Sequence, residues 1–157
     1  GSLQGIQAGA PVMDDAGVLG QVTRVYPLVS ELTLITNREH SVPVLNTRTG
    51  VRGVAFGEAS GAPLLELRYL ASNADVEVGD VLSTSGVDGV FPPGMPVAKV
   101  VKVERRSESV FARILCQPQG RVQGARHVMV LEPLGKQVPA RPLYERPSTL
   151  PIKGGPR

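Results

Sequence analysis

The feature that most constrains this chain is its cadence of turn signals. Short runs rich in Val, Ile, Leu and Thr recur at intervals of about eight to twelve residues, and Gly, Pro, Asp and Asn interrupt them. No window of a dozen residues carries a 3.6-residue apolar stripe, because Gly or Pro breaks nearly every candidate helix. The spacing instead predicts strands over 18–26, 32–36, 42–46, 54–56, 64–70, 81–84, 97–103, 110–117 and 127–132. Several alternate clearly. Val110, Ala112, Ile114 and Cys116 share one face against Arg113 and Gln117, and Leu65, Leu67 and Tyr69 oppose Glu66 and Arg68. The expectation is an all-β protein with no substantial helix. So many strands exceed one small barrel, so two small β-barrel-like subdomains are expected, over 8–56 and 57–121. The GEASGAP stretch at 57–63 is the expected passage between them.

The basic character lies outside this body. The 157 residues carry a net charge of +3, but residues 133–157 hold Lys136, Arg141, Arg146, Lys153 and Arg157 against Glu145 alone. That segment is +4 and residues 1–132 are −1. It also contains prolines 133, 139, 142, 147, 151 and 156. Each removes an N–H donor and fixes φ, so a disordered Pro/Arg-rich C-terminal tail is expected. A neutral body with three Phe, three Tyr and no Trp lacks the basic, stacking surface of a nucleic-acid module. No apolar run approaches the ~20 residues of a membrane helix. No signal peptide is apparent, and Gly1-Ser2 reads as an expression scar. One cysteine cannot build a disulfide framework, and two histidines leave little for a metal site; no cofactor is expected.

The stretch 75–103 is rich in Gly and Asp, but strand and prolines follow its glycines where a phosphate loop needs a helix. It is read as barrel corners, with the Phe91 ring inserted into the core. His40, Asp80 and Ser85 occur in the order of a two-barrel serine hydrolase. Their context argues against it: Ser85 follows Asp80 by only five residues, in Thr84-Ser85-Gly86-Val87. His127 is read as a strand-end hydrogen bonder, Asp14-Asp15 and Asp75/Glu77/Asp80 as turn formers, and Cys116 as a buried small hydrophobe. Arg105-Arg106 is read as a solvated hairpin tip.

Six pieces in order carry a resemblance. They are Gly17-Val18-Leu19-Gly20-Gln21-Val22-Thr23-Arg24-Val25; Ser30-Glu31-Leu32-Thr33-Leu34-Ile35-Thr36-Asn37 with Ser41-Val42-Pro43-Val44; Val51-Arg52-Gly53-Val54-Ala55; Leu65-Glu66-Leu67-Arg68-Tyr69-Leu70; Val78-Gly79-Asp80-Val81-Leu82-Ser83-Thr84-Ser85-Gly86 leading to Gly89-Val90-Phe91-Pro92-Pro93-Gly94-Met95-Pro96-Val97; and His127-Val128-Met129-Val130-Leu131. Over about residues 9–132 the chain resembles the extracytoplasmic β-domain of the bacterial rod-shape-determining MreC family. The resemblance implies two small β-barrels, with residues 122–132 returning to complete the first. It also implies an N-terminal membrane helix and coiled coil outside this chain, and a place on the periplasmic face of the inner membrane.

The implied function is that of a non-enzymatic scaffold for cell elongation and rod shape. Its implied partners are the elongation transpeptidase (a class B penicillin-binding protein), MreD, RodA and the MreB machinery, together with further copies of itself. A peptidoglycan-binding β-module is the alternative beside the Ser85/His40/Asp80 hydrolase. Because the matched motifs look structural, no catalytic residue transfers. The candidate partner surface is the exposed part of Phe91, Pro92, Pro93 and Met95, with Tyr69 as a second candidate; the competing reading puts the Phe91 and Tyr69 rings in the core.

Overall fold

A computed structural model describes residues 1–71, 73–105 and 112–132. After a 3-10 turn at Ser2–Gln4 come β1 (Pro11–Met13), β2 (Val18–Val25), β3 (Ser30–Leu34), β4 (Ser41–Asn46), β5 (Arg52–Gly57), β6 (Leu65–Arg68), β7 (Val81–Thr84), β8 (Pro96–Glu104), β9 (Arg113–Pro118) and β10 (Met129–Val130). No α-helix occurs among the described residues, so the all-β reading holds. The expected tail at 133–157, Arg106 and the start of the 110–117 strand lie outside the described residues.

The strands form two lobes. One is an open four-stranded sheet in the order β10-β1-β2-β3, and the other is a barrel closed as β4-β5-β6-β9-β8-β7. All pairings are antiparallel. The division does not fall at 57–63, as expected from its glycines. That stretch is the β5–β6 hairpin loop: Gly57 pairs with Leu65, and Glu58 N–H donates to the Leu64 carbonyl. Strands β4 and β5 therefore belong to the barrel, and the crossing is the connector at 35–40. Among the described residues the sheet lobe keeps open edges at β3 and β10, where a barrel was expected. Strand β10 lies beside β1, with Val12 opposite Val130.

Period-two burial builds the barrel interior. Val42 and Val44 of β4, Leu65 and Leu67 of β6, and Ile114 and Cys116 of β9 point inward. In β8 a register shift between Val100 and Lys102 absorbs Val101, which is exposed. Burial of each large apolar side chain contributes roughly 1.5–3 kcal/mol. Phe91, Leu82 and Met95 join the same buried cluster. Val18 and Ile35 of the sheet side belong to the same cluster, so the lobes share a core. A smaller cluster of Ala10, Val12, Leu19 and Val22 lies within the sheet lobe, and Val122 packs against both.

The lobes also meet backbone to backbone. A Cβ on Gly17 would lie 2.6 Å from the Pro96 carbonyl oxygen, and one on Gly120 would lie 2.8 Å from that of Val18. The buried Asp14 carboxylate tightens the same junction, accepting from Ala16 and Gly17 N–H (2.9 Å each) and from Arg121 N–H (2.8 Å). Burial pushes this carboxyl up, but the three N–H groups outweigh it and hold it below the usual aspartate range. Gly17→Ala is expected to cost on the order of 1–3 kcal/mol by overpacking. Gly124→Ala, with nothing within 4 Å of its Cβ, should stay within about 0.5 kcal/mol. Urea denaturation of the two variants checks the contrast.

Candidate functional site

Asp80 stands at the seam where β7 meets β4. Gly79 precedes it at φ 97°, a turn conformation that glycine adopts without strain. The Asp80 side chain is 6% exposed and accepts from Asn46 Nδ2 (2.6 Å), Arg48 Nε (2.7 Å), Arg48 Nη2 (3.0 Å) and Glu77 N–H (2.9 Å). Arg48 also grips Asp75 through two bonds of 3.0 and 2.9 Å. The Arg48 guanidinium holds the Asp80 carboxyl far below the usual range, and against burial the Glu77 N–H and Asn46 amide add to that pull. All four donors keep this carboxylate ionised and occupied. It is more than the turn former expected, because its partner Arg48 lies 32 residues away.

The hydrolase constellation does not assemble. His40 Nε2 faces Gln21 Oε1 at 3.2 Å, and neither His40 Nδ1 nor Ser85 Oγ has a hydrogen-bond partner. The serine is thus not bonded to the histidine, and Asp80 is committed to Arg48. No group of three or more His, Cys, Asp or Glu side chains is placed to hold a metal among the described residues. Burial pushes the Cys116 thiol up to about 12, as suits an inert core cysteine.

The loop after β7 is pinned by Thr84. Its Oγ1 donates to the Pro92 carbonyl (2.5 Å) and accepts from Met95 N–H (2.9 Å). Phe91 and Met95 are buried at 1% and 7% exposure, so neither ring nor thioether reaches the surface. Pro93 is exposed and Pro92 half-buried. Of the expected contact residues in this loop, only the prolines face solvent.

Tyr69 behaves differently. Alternation with Leu65 and Leu67 places it inward, yet it is 76% exposed. It is the one non-glycine residue with positive φ (63°) among those described, and this twist turns the ring out as β6 ends. A tyrosine there carries a backbone strain of about 1–3 kcal/mol. Its ring meets Phe56 edge-on (centroids 5.9 Å apart), and the Arg68 guanidinium lies 4.8 Å from the Phe56 centroid. Beside it opens a cleft of about 310 Å³, lined by Leu67, Leu70 and Ile114 and by the charged Glu66, Arg68 and Arg105. An exposed aromatic beside a cleft with both apolar and charged lining suits recognition of a protein surface. Tyr69 and the prolines are separate features of the barrel: one ends β6 and the other follows β7.

An all-β body in which a closed barrel and an open sheet share one core defines the class, a two-lobed β-barrel protein. The chain belongs to the MreC family: the family model described as "Rod shape-determining protein MreC, barrel core" matches residues 1–132. The cell shape-determining protein MreC of Escherichia coli is 38% identical over 131 residues, which cover 83% of this chain and 35% of the relative. That of Haemophilus influenzae is 38% identical over 133 residues, covering 85% and 38%. The chain thus spans little more than a third of these relatives. The crystal structure of MreC from Pseudomonas aeruginosa superposes with a TM-score of 0.80 at 39% identity, covering 84% of each chain. A solved complex between a penicillin-binding protein (PBP2) and MreC from Helicobacter pylori shares the fold at a TM-score of 0.63, with 20% identity over 76% of this chain and 74% of that one.

The seam carries a pH dependence of known sign. The Asp80 carboxyl is depressed on folding, so its stabilisation is complete above the free aspartate value of about 4 and is lost as pH falls below it. Asp80→Asn is expected to cost about 1–2 kcal/mol at pH 7, because the Glu77 N–H and the Asn46 amide lose a charged acceptor while the half-exposed Arg48 keeps Asp75. It should also flatten the acid limb of stability measured by denaturant titration between pH 5 and about 2.

Proposed function

We propose that this chain is the β-domain of a non-enzymatic, rod-shape-determining scaffold. In this reading it stands on the periplasmic face of the bacterial inner membrane, on a protein anchored there by a helix outside this chain. It holds a class B penicillin-binding protein, the elongation transpeptidase, in place and self-associates. MreD, RodA and the MreB machinery are further members of the same assembly. The family match over residues 1–132 carries the proposal. The Helicobacter pylori complex supports the class of partner, since a protein of this fold is seen there with a penicillin-binding protein. The relatives' role in cell shape supports the biological setting.

Tyr69 and its cleft form the contact surface in this reading, with Pro92 and Pro93 as a second contact. Tyrosine supplies large contact area at low conformational cost, and hot spots favour it. The open edges of β3 and β10 are the routes for self-association by strand pairing. The lack of hydrogen bonds among the His40, Asp80 and Ser85 side chains favours a scaffold over a hydrolase. The absence of Trp disfavours the peptidoglycan-binding alternative, since sugar sites stack on exposed aromatics.

Biolayer interferometry against the purified periplasmic part of the elongation transpeptidase tests the proposal. The wild-type chain is expected to bind, and Tyr69→Ala to weaken the affinity at least about tenfold, or about 1.4 kcal/mol, with an unchanged melting temperature. Absence of wild-type binding would overturn the assignment of partner. Equal affinity of the two would move the contact away from Tyr69.

A further inference from the structure

His40 sits in the connector that carries the chain from sheet to barrel, between Ile35 and β4. The structure ties it to both lobes. On the sheet side, Gln21 of β2 donates from Nε2 to the Gly9 carbonyl at 3.0 Å. This bond orients the Gln21 amide, so its Oε1 is the atom that faces His40 Nε2 at 3.2 Å. The imidazole must therefore carry its proton on Nε2 and donate to Gln21. On the barrel side, the His40 ring meets Phe91 edge-on, with centroids 6.3 Å apart and planes at 84°. Phe91 is itself 1% exposed and belongs to the barrel core.

The remaining nitrogen is the uncommon one. Nδ1 is buried and has no hydrogen-bond partner. A bare acceptor there is tolerable; an N–H⁺ would be a buried donor and a buried charge with nothing to receive it. The charges around the ring are few. Asp88, on the loop leading to Phe91, favours the protonated ring, and its Oδ1 is engaged with Val90 N–H (3.1 Å) and Phe91 N–H (3.4 Å). Arg38 and Glu39 of the connector are exposed. Gln21 and Phe91, the groups in direct contact, carry no charge. Burial outweighs Asp88 and pushes the imidazole below the ordinary histidine range.

We propose that His40 is an acid-released latch between the sheet and the barrel: proton uptake at its buried Nδ1 creates a charge and an N–H with nothing to receive them, so the ring leaves its place between Gln21 and Phe91 for solvent and the 36–40 connector loosens against the 86–91 loop. The shared core of Val18 and Ile35 keeps the lobes together, so the release is local, not an unfolding. The released segment carries the exposed Val87, Asp88 and Gly89 and runs into Pro92, whose carbonyl stays held by Thr84. Mild acid would therefore alter the mobility of an exposed face of the barrel.

The direction of the effect follows from linkage. A histidine depressed on folding stabilises the closed state fully above its free value of about 6.5 and loses that contribution as pH falls through the lower folded value. NMR of the full chain between pH 8 and 5 tests this, following the His40 ring and the exchange of amides 36–40 and 86–91, corrected for intrinsic rates. The ring is expected to titrate below about 6.5. Protection at these amides should then fall roughly tenfold for each pH unit of that depression. His40→Gln keeps a donor for Gln21 and has no proton to gain, so it should abolish the fall. A ring that titrates at or above the free value would overturn the latch, as would protection that ignores the His40 titration. Should the variant fail to fold, the wild-type ring and amide data decide alone.

Discussion

Closure of the barrel depends on one seam. Six strands form a ring only if the first, β4, pairs with β7, and that pairing spans just Val44–Thr84, Leu45–Ser83 and Asn46–Leu82. The Asp80 carboxylate sits at its end and binds Asn46 and Arg48 of the β4 side. Three ladder positions make a short seam, and an open seam would leave two strand edges unpaired. A fully hydrogen-bonded buried carboxylate adds positional specificity that apolar contacts alone do not supply. The loops beside the seam are held by this closure: β7 leads into the Thr84-pinned loop of Phe91, and β4 receives the connector that holds His40.

The sheet lobe is built onto the closed barrel. Val18 and Ile35 enter the barrel's core cluster, β10 returns after the barrel to pair with β1, and Asp14 ties the β1–β2 turn to Arg121. The chain therefore crosses between lobes twice, at 35–40 and near 119–122. Two crossings, a shared core and glycines in backbone contact make the pair resist separation. That is a mechanical property suited to a scaffold, which transmits position. The polar groups that chemistry would need are spent on structure: Asp80 on Arg48, Asp14 on three amides, His40 on Gln21.

Much of this was legible in the sequence, for identifiable reasons. Alternation at Ile114 and Cys116 and at Leu65 and Leu67 gave the right faces, because one side of each strand is buried. The incidental character of His40, Asp80 and Ser85 was legible from their local context. Strand β1 escaped notice because it is three residues long and starts with proline. The lobe boundary was misplaced because glycine signals both linkers and close approach: a Cβ on Gly57 would collide with the Thr36 carbonyl, so its glycine marks contact, not a passage. Tyr69 was assigned to the inner face by alternation, which holds only while the strand continues; at φ 63° the strand has ended. The Arg48–Asp80 pair was invisible because its members are far apart in sequence and each reads locally as a turn residue.

The proposed mode of action is partner binding through the barrel rim at Tyr69. Photo-crosslinking in living cells tests it most directly, with a benzophenone amino acid placed at position 69, at 93, or at 28 on the sheet lobe, where Leu28 is 73% exposed. The account predicts crosslinks to the elongation transpeptidase from position 69, with position 93 as a weaker second and none from position 28. Crosslinks to the transpeptidase from position 28 with none from 69 would contradict it.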